Sequence, residues 1–250
     1  MNEPAFYLPP ECWGAEVCLR GQEARHLAKS MRLDKGSRVA LLDGHGRLGR
    51  FRVCGVDREN VQLELLEEQM FPRPAARAAM ALAASRAVRR GFFLEKAVEL
   101  GAHAVWIWQA DHSQNRLAPS SEQSWRSRMI AGAKQCKNPW LPELRLLPKG
   151  IGEVAVLASS ADRRVLLWEM QENVPLLSAD TAGQEGLSVY VVGPEGGFSQ
   201  RELAALDAAG FVPASLGRRV LRCETAAALC LGLHWWASHL NGTATGNAAQ

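Results

Sequence analysis

The chain has 250 residues, 47% of them apolar, which is enough for one large domain or two modest ones with a core that needs neither disulfides nor metal. A net charge of +3, no apolar run near the roughly 18 residues of a membrane span, and a start, Met1-Asn2-Glu3-Pro4, without signal-peptide regions make the expectation a soluble, cytoplasmic protein with no membrane partner. Six cysteines, at 12, 18, 54, 136, 223 and 230, form neither a C-x-x-C nor a zinc-type cluster with histidine, so reduced thiols and no metal site are expected.

Residues 1–72 read as a small, mainly β domain. Gly21 to Met31 fits one short helix that buries Ala24, Leu27, Ala28 and Met31 and exposes Arg25, Lys29 and Arg32. Arg38 to Leu42, the turn Asp43-Gly44-His45-Gly46 and Arg47 to Val56 make a hairpin, with Arg47, Arg50 and Arg52 set around Phe51. Val61 to Leu65 alternates as a half-buried strand does. Between Arg20 and Arg58 there are ten Lys/Arg against four Asp/Glu, and between Phe71 and Arg90 five arginines against no acid. That clustering favours a polyanion as partner, since neutralised phosphates release counterions; the bland reading is an ordinary solvated surface.

Phe71-Pro-Arg-Pro74 marks a domain boundary. Beyond it the pattern alternates in the α/β manner: strand Met80–Ala84, helix Phe92–Leu100 stopped at Gly101, strand Ala104–Trp108, helix Ser121–Lys137, then strands Glu143–Leu147 and Arg164–Trp168. Glu224 to Leu240 is a long apolar helix carrying Trp235 and Trp236, to be buried in the core or against a second subunit. The small polar tail, 243–250, is expected to be disordered.

Two stretches carry the chemistry. Val189-Tyr-Val-Val192 is a buried strand that stops at Gly193-Pro194-Glu195-Gly196-Gly197, and Ser199 with Glu202 forms a capping box, so a glycine loop delivers the chain to a helix N-terminus. A crevice at the carboxyl end of a strand is where α/β sheets hold ligands. The spacing fits neither G-x-G-x-x-G nor a P-loop, and on its own the loop reads equally as a tight turn. Some twenty residues on, Leu216-Gly217 leads into Arg218, Arg219 and Arg222 interleaved with Val220 and Leu221. Apolar positions that want burial among guanidinium groups suit an anionic partner.

Gly-Pro-Glu-Gly-Gly-Phe-Ser followed by Leu-Gly-x-Arg-x-Leu-Arg-x-Glu-Thr-Ala is similar to the signature of the small-subunit ribosomal RNA uridine N3-methyltransferases, of the SPOUT class. Lys96-Ala-Val-Glu-Leu-Gly101 resembles that family's Lys-x-x-Glu-Leu-Gly, and His26-Leu, Arg32-Leu, Gly36 and Asp43-Gly44 resemble its N-terminal domain, so the likeness covers nearly the whole chain. It implies a PUA-like RNA-binding β-barrel over 1–72 and an α/β trefoil-knot methyltransferase domain over 73–242. The implied cofactor is S-adenosylmethionine, the partner small-subunit ribosomal RNA or the assembled subunit, the reaction methylation of uridine N3, and the assembly a homodimer. The alternatives are another nucleoside, such as a ribose 2′-hydroxyl, or a non-catalytic assembly factor.

Carried over residue by residue, the cofactor would be held by Leu167, Glu169, Val192, Gly193, Pro194, Gly196, Gly197, Leu216, Gly217, Val220 and Leu221. Arg222 is the expected catalytic residue, stabilising negative charge on the base. RNA contacts are expected from Arg25, Arg32, Arg47, Arg50, Arg86, Arg89, Arg90, Gln135 and Arg219, with Arg219 and Glu224 pairing to fix the turn. Glu195 is either base or turn cap, the cap being favoured. Two departures stand out: Asp111-His112-Ser113 replaces Glu-Arg-Ser, with only the serine matching, and Asn138 stands where many members have arginine, with Lys137 beside it as a substitute charge.

Overall fold

The computed structural model describes residues 3–14, 16–30, 33–57, 60–84, 87–113, 116–168 and 174–246, with backbone alone for 29–30, 87–89, 119 and 242–246. It divides into two units, residues 1–73 with 130–141, and residues 74–129 with 142–250.

In the first unit β1 (Ala5–Tyr7), β2 (Val17–Arg20), β3 (Arg38–Leu42), β4 (Arg47–Val56) and β5 (Asn60–Met70) form one half-barrel sheet in the order β1-β3-β4-β5-β2. Its concave core gathers Phe6, Leu19, Leu27, Val39, Leu41, Phe51, Val53 and Val61, the inward members of alternating strands. The helix expected over Gly21–Met31 is α-helical only as α1 (Gly21–Arg25); His26–Ser30 winds on as a wider π turn that keeps Leu27 fully buried, and Met31 and Arg32 lie outside the described residues. Strand β5 outruns the expected Val61–Leu65 because β4 stays paired with it to Met70, in a ribbon whose residues from Glu64 onward are exposed.

Across that ribbon the arginines meet acids. Arg50 faces Glu67 and Arg52 faces Glu64 in register, at 3.3 and 3.2 Å, while Arg47 lies 4.0 Å from Glu68. The hairpin expected to be basic is therefore a ladder of compensated charge, since the acids that answer its arginines come from the strand beyond the window of sequence that looked so positive. Each exposed pair adds little stability, roughly 0–1 kcal/mol.

Residues 130–141, expected in the second domain, belong with the first unit. Lys134 Nζ donates to Glu23 Oε1 at 2.7 Å, Gly46 N–H donates to the Pro139 carbonyl at 3.0 Å, and Arg73 stacks over the Trp140 ring at 4.6 Å. Lys137, just past the helix end, has φ +57°, a left-handed cap of the kind glycine usually supplies.

The second unit is a six-stranded, wholly parallel sheet. Its elements are β6 (Ala76–Ala83), α2 (Ala87–Glu99), β7 (Ala104–Trp108), α3 (Glu122–Cys136, which runs on into 130–141), β8 (Glu143–Leu147), α4 (Ile151–Leu157), β9 (Arg163–Leu167), β10 (Gly186–Val192), α5 (Gln200–Ala208), β11 (Val212–Ala214) and α6 (Cys223–Gly246). The order β11-β9-β10-β6-β7-β8 puts β10 beside β6, so the chain leaves β8 at one edge, returns beyond β6 for β9, and then inserts β10 between them. Strands buried on both faces read as continuous apolar runs; Ser188–Val192 and Ala78–Ala83 are buried throughout. Short alanine side chains on β6 let α6 pack closely against it. Helix α6 continues six residues past its expected end at Leu240, so 243–246, expected in a disordered tail, are helical, and 247–250 lie outside the described residues. Strands β6 and β9 start at Ala76 and Arg163, ahead of the expected Met80 and Arg164, and α4 went unforeseen, its seven residues being too few to display a helical period.

Between β10 and α6 sits a buried polar pair. Gly183 N–H donates to His234 Nδ1 at 3.2 Å, the Tyr190 hydroxyl lies 3.0 Å from the same nitrogen, and His234 is 5% exposed. Burial pushes the His234 imidazole down to about 4. A folded-state value below the unfolded value of about 6.5 means that the unfolded chain takes up the proton first, so the contribution is complete above pH 6.5 and is lost as pH falls toward 4. The expected loss is roughly 3 kcal/mol. Chemical denaturation of wild type and His234→Gln between pH 7 and 4.5 checks it: the variant should show a shallower fall, and parallel curves would refute the assignment.

Candidate functional site

Because the sheet is parallel, the carboxyl ends of β6, β7, β9 and β10 meet at one edge. At the end of β10 the chain turns through Gly193–Gly197, closed by the Gly197 N–H on the Pro194 carbonyl at 2.9 Å, with Gly197 at φ +72°. The capping box forms as its sequence requires: Ser199 Oγ accepts the Glu202 N–H at 3.2 Å, and Glu202 Oε2 accepts the Ser199 N–H at 2.8 Å. At the end of β11, Gly217 takes φ +111° and donates its N–H to Ser215 Oγ at 3.1 Å, which folds the following residues back across the glycine loop.

The two turns and the end of β9 enclose a cavity of about 430 Å³. Of the expected cofactor residues, Leu167, Val192, Gly193, Pro194, Gly196, Gly197, Leu216, Val220 and Leu221, with Gly217, all line it; Glu169 lies outside the described residues. Arg222 lines it too, and so does Arg219, expected to face RNA. Arg219, Val220, Leu221 and Arg222, four successive residues of the turn, all line the cavity. Val220, expected to be buried, is 78% exposed. The pairing of Arg219 with Glu224 is absent; Glu224 is buried at the head of α6 and accepts a 3.3 Å bond from Cys223 Sγ. Among the described residues neither Arg219 nor Arg222 has an ion-pair partner for its side chain. Burial, with that carboxylate beside it, pushes the Cys223 thiol up to about 12, so a cysteine in the cavity wall stays protonated and is no nucleophile.

The glycines serve different ends. At Gly197 and Gly217 a Cβ would meet nothing within 4 Å, and the left-handed backbone alone selects glycine. At Gly193 and Gly196 the space is taken by the chain itself, since a Cβ would lie 2.7 Å from the Phe198 ring or 3.0 Å from His112 Cβ. At these two, packing within the chain is itself sufficient reason for glycine.

Other expected RNA contacts fall in both units. Arg25 and Gln135 are exposed; Arg47 stacks over Trp13 at 5.0 Å; Arg50 lies 3.5 Å from Glu3 in addition to its bond to Glu67. Arg90 stacks over Trp125 at 4.6 Å, Arg89 has only its backbone described, and Arg32 and Arg86 fall outside the described residues.

Sequence reading noticed the segment just beyond β7 as a departure from the family pattern and did not foresee what it holds. Asp111 Oδ2 accepts Ser199 Oγ at 2.6 Å, Asp111 N–H donates to Glu202 Oε1 at 2.8 Å, His112 Nδ1 meets the Gly197 carbonyl at 3.1 Å, and the Trp108 ring stacks on Phe198 at 6.0 Å. The available signal was position: a polar cluster directly after a parallel strand falls at the edge where ligands bind.

A family model described as an RNA methyltransferase domain matches residues 72–235, and one described as an RNA methyltransferase PUA domain matches residues 19–66. Ribosomal RNA small subunit methyltransferase E of Mycobacterium tuberculosis is 33% identical over 231 residues, covering 88% of this chain and 86% of its own. The protein of that name from Synechocystis is 27% identical over 228 residues, covering 89% and 74%. Among solved structures, a Legionella pneumophila methyltransferase with bound SAM aligns at TM-score 0.85 and 24% identity, over 95% of this chain and 98% of that one. The Neisseria gonorrhoeae ribosomal RNA small subunit methyltransferase E, bound to S-adenosylmethionine, aligns at TM-score 0.82 and 26% identity, over 92% and 95%. The fold is thus a PUA-like domain followed by a SPOUT-type α/β methyltransferase domain.

Proposed function

The chain belongs to the RNA methyltransferase family, and from that premise we propose that it transfers a methyl group from S-adenosylmethionine to N3 of a uridine in small-subunit ribosomal RNA. The observation that carries this reading is the cavity itself, lined by apolar side chains together with Arg219 and Arg222. Its volume suits a small-molecule site. Leu167, Val192, Leu216 and Leu221 offer apolar walls, Val220 stands uncovered at the lip, and Gly197 and Gly217 leave open space where other residues would carry a Cβ. These residues fit a nucleoside with a charged tail and would hold the cofactor.

S-adenosylmethionine, when bound, supplies a methyl group on a sulfonium leaving group. The protein's part is then positioning and electrostatics. Uridine N3 carries a proton at neutral pH, and its loss leaves negative charge on the base. Arg222, exposed at the rim and without an ion-pair partner among the described residues, is the group assigned to stabilise that charge. Arg219 beside it would face the RNA backbone.

Incubation of small subunits with S-adenosylmethionine tritiated in its methyl group, followed by nucleoside digestion, is expected to yield labelled 3-methyluridine. Label in a ribose 2′-O-methyl or a guanine would overturn the choice of nucleoside, and no label in naked RNA or subunits would overturn the enzymatic reading. A homodimer formed through the apolar strip of α6, with Leu229, Trp236 and Leu240 exposed by 42–58%, completes the proposal. Sedimentation showing only a 27.3 kDa species at micromolar concentration would refute it.

A further inference from the structure

Three successive residues of the loop and its helix cap are gripped from behind by one short segment. Phe198 stacks on Trp108, the last residue of β7; the Gly197 carbonyl accepts from His112 Nδ1; and Ser199 Oγ donates to Asp111. Arg201 Nε also donates to Asp111 Oδ2 at 3.2 Å, and Arg201 with Ser199 holds the Asp111 carboxyl below the usual carboxylate range. Glu202, 1% exposed, joins the same knot of bonds by accepting the Asp111 and Ser199 N–H groups on its two oxygens. Ser113 Oγ in turn donates to the Ala84 carbonyl at the end of β6, which ties the segment to the sheet edge. Neither Asp111 nor His112 lines the cavity.

We infer that Asp111 and His112 are positioning residues, which fix from outside the cavity the conformation in which the glycine loop meets its ligand. The inference rests on the methyltransferase reading for the identity of that ligand. The physical ground is that a left-handed glycine leaves its peptide free to turn over. The Gly197 carbonyl has a set direction here because an imidazole N–H holds it, and the first turn of α5 is set relative to that carbonyl because the carboxylate of Asp111, the residue next to His112, holds Ser199. Both anchors come from residues 85 or more positions earlier in the chain.

The test uses the full-length protein and the variants Asp111→Ala, His112→Ala and their double, with Asp111→Asn, which keeps one acceptor, as the conservative control. Calorimetric titration with S-adenosylmethionine is expected to show Kd raised on the order of tenfold in each single variant and less in Asp111→Asn. Turnover at saturating cofactor should be little changed, so that the loss lies in KM for S-adenosylmethionine. Amide hydrogen exchange without cofactor should accelerate over residues 196–199 and nowhere else. Unchanged affinity together with unchanged exchange overturns the inference, and so does loss of exchange protection throughout the domain, which would make the pair a general structural support. Should the wild type take up no S-adenosylmethionine, the methyltransferase reading falls while the exchange experiment still decides the clamp: acceleration confined to the loop upholds it, and no change rejects it.

Discussion

Replacing Arg222 with alanine lowers turnover by roughly 10²-fold and leaves the affinity for S-adenosylmethionine little changed. The expectation follows from where the guanidinium stands. Arg222 lines the cavity one residue before α6 and is exposed, and among the described residues it has no ion-pair partner whose loss could loosen the turn. Glu224, the carboxylate two residues on, accepts a bond from Cys223 Sγ. The turn keeps its own supports, the Gly217 N–H on Ser215 Oγ and the Ala226 N–H on the Arg222 carbonyl at 2.8 Å, neither of which uses the side chain. On the proposed reading, a positive charge removed from such a place costs most as the base becomes negative. Arg222→Lys should recover part of the rate, because a compact ammonium lacks the planar fork of donors. Measuring kcat and cofactor Kd on the same variant decides the matter, since a parallel loss of both would make Arg222 a structural residue.

Gly197→Val is expected to weaken cofactor binding by roughly 5- to 150-fold, the equivalent of about 1–3 kcal/mol of backbone strain, with the fold intact. Open space surrounds the missing Cβ, so sterics against neighbours are not the obstacle. The obstacle is φ +72°, which a β-branched residue avoids. Relief of that strain would rotate the peptide whose carbonyl His112 holds and carry the loop away from the cavity. Gly196→Val should act differently, through a 3.0 Å approach to His112 Cβ that pushes the loop and its anchor apart. Titration calorimetry beside circular dichroism checks both, and wild-type affinity in a folded Gly197→Val protein would refute the account.

What could be read from sequence were features written locally. Strands β3, β4, β7 and β8 fall at their expected bounds, because alternation or an unbroken apolar run flanked by Gly, Pro or Asp is a signal within the segment itself. The Ser199–Glu202 capping box is likewise only four residues wide. The gathering of Leu167, Val192, Leu216, Gly217, Val220 and Leu221 around one cavity was expected from a family resemblance, with a strand-end glycine loop as its local support. Features made by long-range pairing were not legible. The arginines of β4 looked like a basic surface until β5 laid Glu64, Glu67 and Glu68 against them. Asp111 and His112 looked like departures from a motif, and their use becomes visible only when a chain segment some ninety residues later lies beside them.

The assignment of residues 130–141 to the first unit bears on how this protein can be taken apart. The polypeptide passes between the two units at Arg73–Pro74, Met129–Ile130 and Leu141–Pro142. A fragment cut at Pro74 would keep Trp140 and Leu141 but lose Gly46 and Gly44, the residues against which their side chains lie, and would leave Lys134 without Glu23. The PUA-like half is thus not a detachable cassette at one end of a gene. Exchanging it between relatives takes three matched junctions, and a recombination event that respects only the proline-marked boundary delivers two incomplete parts.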